Sequence, residues 1–170
     1  MKNGYTHHFG KTTGGIKTIA LTPVENINSV AIDHQTGAYL SVTLKELTQW
    51  VECSLAEEAA EYREEHTLRN GIAVVVHTLE FQTDKMDRES DSLLRQLAEA
   101  SPGGLAAVVT TNDNVSLLVG YSPEHGAERP LRLEKVAGRS GKKYADPSRE
   151  AISLVSRDTA KARILNGSIG

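Results

Sequence analysis

The chain has 170 residues, 39% of them hydrophobic and 24% charged, with a formal net charge of −3 at neutral pH. That length suits one ordinary domain able to hold a core without staples, and the single Cys53 excludes both an internal disulfide and a cysteine metal cluster. The small net charge argues against a dedicated nucleic-acid binder, no run approaches the eighteen or so apolar residues of a membrane span, and the start lacks the pattern of a secretory signal, so a soluble protein made in the cytoplasm is expected.

Taken in chain order, residues 1–15 are polar and glycine-rich without periodicity, and read as a flexible N-terminal arm preceding a single β-rich domain over 16–170. Ile16 to Thr22 is a β-branched run stopped by Pro23. Ile27 to Asp33 and Ala38 to Leu44 flank His34-Gln35-Thr36-Gly37, and the second run alternates apolar and polar residues, which predicts a hairpin. Ser54-Leu55-Ala56-Glu57 has the form of a capping box before an Ala- and Glu-rich run, so a helix is expected over 54–66 with an acidic surface. Gly71 opens a long apolar strand, Ile72 to Phe81. Leu93, Leu94, Leu97 and Ala98 mark one face of a second helix that ends at Ser101-Pro102-Gly103-Gly104.

Leu105 to Thr110 and Val115 to Tyr121 enclose Asn112-Asp113-Asn114 as a second hairpin. Leu131 and Leu133 alternate with Arg132 and Glu134, and Ile152-Ser153-Leu154 supplies a late strand. About eight strands with short turns predict a mainly β fold, an antiparallel barrel or sandwich with one or two helices packed on it.

Charge is divided along the chain. Lys45 to Ser101 carries 6 basic and 13 acidic residues, whereas His125 to Gly170 carries 10 basic and 5 acidic ones. Blocks of opposite sign on one domain permit a head-to-tail contact between copies.

The motifs that suggest chemistry fail on spacing or setting. Gly4 and Gly10-Lys11-Thr12 enclose five residues where a phosphate loop has four, and neither a preceding strand nor a following helix is present. Gly120-Tyr121-Ser122-Pro123-Glu124 lacks the last glycine of the hydrolase elbow, and His125 beside it in sequence is not how a triad assembles. His34-Gln35-Thr36 matches the H-x-T of two-histidine phosphoesterases, but in one copy and in a turn. His7 and His8 are adjacent in the arm, His77 and Glu80 face opposite sides of a strand, and His66 is expected to end the acidic helix and favour its dipole. Cys53 reads as a small core residue. The basic run Arg139-Ser140-Gly141-Lys142-Lys143 could touch phosphates, with only Tyr144 as a nearby stacking ring; a solvated loop or a protein contact suits it better. No catalytic, cofactor-binding or metal-binding residue is therefore assigned.

Gly15 to Ile27 (GIKTIALTPVENI), Val108 to Tyr121 (VVTTNDNVSLLVGY), Pro130 to Leu133, Ser140 to Pro147 and Ile152 to Ser156 resemble segments of phage and prophage tail proteins of the tail-tube group, which includes the type VI secretion tube protein. The resemblance spans about residues 15 to 165. It implies a two-sheet β-barrel with a flanking helix whose copies form rings, usually hexamers, that stack into a tube, with no catalytic residue to carry over. The acidic block departs from that pattern and leaves a tail-completion or other virion role open. The expected function is a self-assembling structural component of a phage tail or related injection apparatus, with itself and other tail proteins as partners. The alternatives are a small phosphoesterase or hydrolase using His34 or the Ser122 region, and a monomeric accessory binding module.

Overall fold

The computed structural model describes residues 14–143 and 145–169. The expected arm therefore lies outside the described residues except for Gly14 and Gly15, as do His7, His8, the Gly10-Lys11-Thr12 triplet and Tyr144.

With 56% strand and 10% helix, the fold is mainly β. The elements are β1 (Ile16–Pro23), a single 3-10 turn (Val24–Asn26), β2 (Ile27–Ile32), β3 (Tyr39–Leu44), β4 (Val51–Glu52), β5 (Leu55–Arg69) and β6 (Ile72–Thr83). They continue with α1 (Arg88–Ala100), β7 (Leu105–Thr111), β8 (Ser116–Val119), β9 (Arg132–Arg139), β10 (Arg149–Asp158) and β11 (Arg163–Ile169). A seven-stranded sheet in the order β2-β3-β11-β8-β7-β1-β4 curls into a half-barrel, and a second sheet has the order β5-β6-β10-β9. All pairings are antiparallel except that of β3 with β11, which is parallel.

Three central strands are buried on both faces, which is why they read as nearly continuous apolar runs rather than alternating ones. Ile19 and Leu21 of β1, Ala107 and Val109 of β7 and Val119 of β8 join Leu79, Phe81, Ile152 and Leu154 of the four-stranded sheet in the larger core. Their neighbours Ala20, Val108 and Leu118 point the other way, into the curl, where Tyr39, Val42 and Leu165 close a smaller core. Gly120, at φ 85°, ends β8 where a Cβ would run into the carbonyl oxygen of Leu105. Glycine is the residue that allows both the positive φ and that approach.

The second predicted helix is present as α1. Asp87 caps it, its side chain accepting from the backbone N–H groups of Glu89 and Ser90 while Ser90 Oγ accepts from Asp87 N–H. Leu97 is buried in the larger core with Leu93 and Leu94 packed against it.

The helix expected over 54–66 is absent; residues 55–66 belong to β5, a strand of 15 residues. Its composition favours a helix locally, but β5 pairs with β6 from Ala60↔Phe81 to Arg69↔Ile72. Tyr62 lies opposite Leu79, so cross-strand packing outweighs a weak local propensity. The misleading capping-box segment falls where the register slips between Leu55 and Ala60, with Glu58 at φ 53°, as at a β-bulge. The hairpin then turns through Asn70 and Gly71, both at positive φ, the geometry of a two-residue type I′ turn. β4 and β11 are strands beyond those expected.

Candidate functional site

The residues that suggested chemistry are occupied with structural tasks. His34 is exposed in the β2–β3 turn. There Asp33 Oδ1 accepts from Gln35 N–H at 2.9 Å and Oδ2 from the Thr36 hydroxyl at 2.6 Å. The Thr36 hydroxyl foremost, and the Gln35 N–H with it, holds the Asp33 carboxyl below its ordinary value. The H-x-T match is thus part of an Asx-type turn.

Ser122 is buried after β8, and its Oγ accepts from His125 N–H at 3.3 Å, while the His125 ring meets Thr159 Oγ1 at 2.7 Å. These are turn contacts, and no helix follows as a hydrolase elbow requires. Cys53 sits in the larger core, where burial pushes its thiol up to about 12. His77 is buried and Glu80 exposed, on opposite faces of β6 as expected. His66 ends no helix: it lies in β5 with Nε2 2.7 Å from Glu64 Oε1. Among the described residues no group of three or more His, Cys, Asp or Glu is placed to hold a metal ion.

The surface with an organised charge pattern is the four-stranded sheet itself. Its outer strands, β5 and β9, each pair on one side only among the described residues. One cross-strand row on its outward face runs Glu61, Glu80, Ser153, Lys135. This face holds an open trough of about 850 Å³, with Glu58, Glu61 and Glu80 on one bank and Lys135, Arg139 and Arg149 on the other.

Arg63, 3.8 Å from both Glu61 and Glu80, partly offsets the acidic bank. On the basic bank Arg139 lies directly opposite Arg149, a like-charged pair that favours a carboxylate beside it. A register shift in the pairing of β9 with β10 sets Arg132 opposite Val155 and Lys135 opposite Ser153. Because Ser153 and Val155 share a face, the shift puts Arg132 on the same face as Lys135 despite their odd spacing.

The four strands alternate in direction. Identical copies placed side by side in one ring would therefore bring β5 of one against β9 of the next in antiparallel sense. In that arrangement the edge carrying Glu58, Glu61 and Glu65 runs against the edge carrying Arg139, Lys135 and Arg132. Along the strand rows Glu61 and Glu65 are four apart, whereas the β9 register shift leaves Lys135 and Arg132 two apart, so any one register directly opposes only one of those two pairs. Exposed charged edges are a common means of keeping strands from pairing indiscriminately. Glu134, whose Oε2 is 3.5 Å from Ser153 Oγ, offsets the basic bank as Arg63 offsets the acidic one, but an edge predominantly of one sign in a sheet whose other edge is predominantly of the opposite sign resists its own like and accepts its complement.

The sign of each block was visible in the sequence, but the acidic one had been assigned to a helix. Period two gives little help here, because only Tyr62 is apolar among the inward-facing Tyr62, Glu64 and His66, so no apolar alternation marks the strand. No helix among the described residues is long and apolar enough to cross a membrane. Comparison with family models, curated proteins and solved structures finds no match to the chain.

Proposed function

We propose that the protein is a self-assembling structural subunit of a phage or prophage tail or a related contractile injection apparatus. Copies join in a ring when the acidic β5 edge of one pairs with the basic β9 edge of the next. The carrying observation is the pair of oppositely charged free edges on one four-stranded sheet, whose alternating strand directions allow the sheet to continue from copy to copy.

A contact between two different patches is heterologous, and it closes into a ring when the rotation per copy divides the circle. The four-stranded sheets would then form the inner wall and the curled seven-stranded sheets the outside. Six copies is the number usual in the tail-tube group that the sequence resembles. Main-chain pairing supplies adhesion along β5 and along β9 beyond Leu133, whose own N–H is taken by Ser101 Oγ, and the charges supply direction.

Light scattering combined with negative-stain electron microscopy of the purified protein tests this reading. Rings or short tubes are expected as concentration rises. A strict monomer at high concentration, with neither form in the images, overturns it.

A further inference from the structure

Beneath the four-stranded sheet lies a group of polar side chains that the assembly reading does not use. The Tyr62 hydroxyl is 2.7 Å from Nδ1 of His77 and 2.8 Å from Oε2 of Glu64, and those two atoms are 3.5 Å apart. On the far side of its ring, His77 Nε2 meets the carbonyl oxygen of Ala160 at 3.0 Å. Glu64 Oε2 accepts from Ala162 N–H at 3.0 Å, and Oε1 lies 2.7 Å from His66 Nε2. The His77 side chain is 4% exposed, that of Glu64 13% and that of His66 54%, so the cluster is most open to solvent at its His66 end.

The protons can be counted. A carbonyl oxygen only accepts, so Nε2 of His77 carries a hydrogen. Tyr62 has one hydroxyl hydrogen and two close neighbours. With Nδ1 bare and Glu64 ionised, both neighbours are acceptors, and the hydroxyl serves one of them at a time. When Nδ1 is protonated, the ring donates to the Tyr62 oxygen and the hydroxyl donates to the carboxylate, so both short contacts become hydrogen bonds and the imidazolium sits beside its counter-ion.

We propose that Tyr62, His77 and Glu64 form a one-proton switch, in which uptake of a proton from solvent at Nδ1 of His77 fixes on Glu64 the Tyr62 hydroxyl that the two acceptors otherwise share. No other bond forms or breaks. Burial opposes the imidazolium most, and His66 adds to that, whereas the carboxylates of Glu64 and Asp158 and the Ala160 carbonyl favour it; the balance leaves His77 below its ordinary value. The bare form therefore prevails at neutral pH and the charged form in acid. The cluster adjoins the turn between β10 and β11, whose Ala160 carbonyl and Ala162 N–H it holds in both states. Beyond that turn, β11 enters the seven-stranded sheet. The same turn is held from its other side by His125, 2.7 Å from Thr159 and 3.7 Å from Asp158.

Nitrogen-15 NMR of the histidine side chains of the full chain, titrated from pH 8 downward, tests the proposal. His77 is expected as the Nε2–H tautomer at pH 8, with Nδ1 gaining its proton at a midpoint below that of a free histidine and the Tyr62 ring signals moving at the same midpoint. Glu64→Gln should lower the His77 midpoint by about one unit, a tenfold loss of proton affinity. Finding Nδ1–H at pH 8 in the unaltered protein overturns the proposal whether or not any variant folds. So does a His77 midpoint that Glu64→Gln leaves in place in a folded variant.

Discussion

Reversing charge on one edge of the four-stranded sheet gives a quantitative handle on the assembly. Glu61 and Glu65 on β5 are exposed, as are Arg132 and Lys135 on β9. An opposite-charge pair across neighbouring strands contributes roughly 0.2–1 kcal/mol, and a like-charged pair costs a similar amount. Changing Glu61 and Glu65 to Lys turns the one directly opposed pair at each interface from an attraction into a repulsion. The loss is about 0.4–2 kcal/mol, or about twofold to 30-fold in association constant.

Sedimentation velocity over a concentration series would measure that loss. Raised salt should weaken the unaltered protein's assembly in the same direction, since these charges are near the surface and a Debye length is about 8 Å at physiological ionic strength. Mixing the Glu61→Lys/Glu65→Lys chain with a Arg132→Glu/Lys135→Glu chain should restore contact between the two altered edges. Assembly of the reversed chain at unaltered strength would refute the β5–β9 contact, and so would failure of the mixture to gain any association over either chain alone.

Gly120→Ala should destabilise by more than the roughly 1–2 kcal/mol that a left-handed backbone costs an L-residue, because the added Cβ also meets the Leu105 carbonyl; a urea midpoint within error of the unaltered protein would contradict the geometry. Leu118→Ala empties a fully buried position in the smaller core and should cost about 2–5 kcal/mol, measured by the same unfolding curves. For pH, His77 and Glu64 are both depressed in the fold. His77 is depressed chiefly by burial; at Glu64 burial acts upward but is outweighed by hydrogen bonds from His66, Tyr62 and Ala162. A group with a depressed value contributes stability above its unfolded pKa and loses it as pH falls through the folded one. Stability should therefore decline from about pH 6.5 downward through His77 and again below about pH 4.5 through Glu64. His77→Gln should flatten the first decline in urea titrations at pH 7.5 and 5.5.

What the sequence made legible follows from the range of the interactions involved. Both hairpins, β2–β3 and β7–β8, are formed by neighbours in sequence with turn residues between them, so alternation and turn chemistry suffice to find them. The helix α1 carries its own cap, its own apolar face and its own stop, and it too was found. β5 was misread because its residues individually favour a helix, while what holds it extended is β6, itself fixed by β10. β11 was missed for a related reason. Its Asn166 and Gly167 read as turn residues, and its partners β3 and β8 lie far back along the chain. The Tyr62–His77–Glu64 cluster depends on both errors, since it needs β5 as a strand and the turn before β11 as its ceiling.

The position of β11 governs the order in which this molecule can be completed. It lies between β3 and β8 in the seven-stranded sheet, so the hairpin of residues 27–44 has no strand pairing that joins it to β7–β8 until residues 163–169 insert. Gly167 passes against the Leu40 backbone where a side chain would not fit. A parallel pairing across so long a separation is slow to close. Until it does, the facing edges of β3 and β8 stand open together, and in that interval the nascent chain is most exposed to pairing with another.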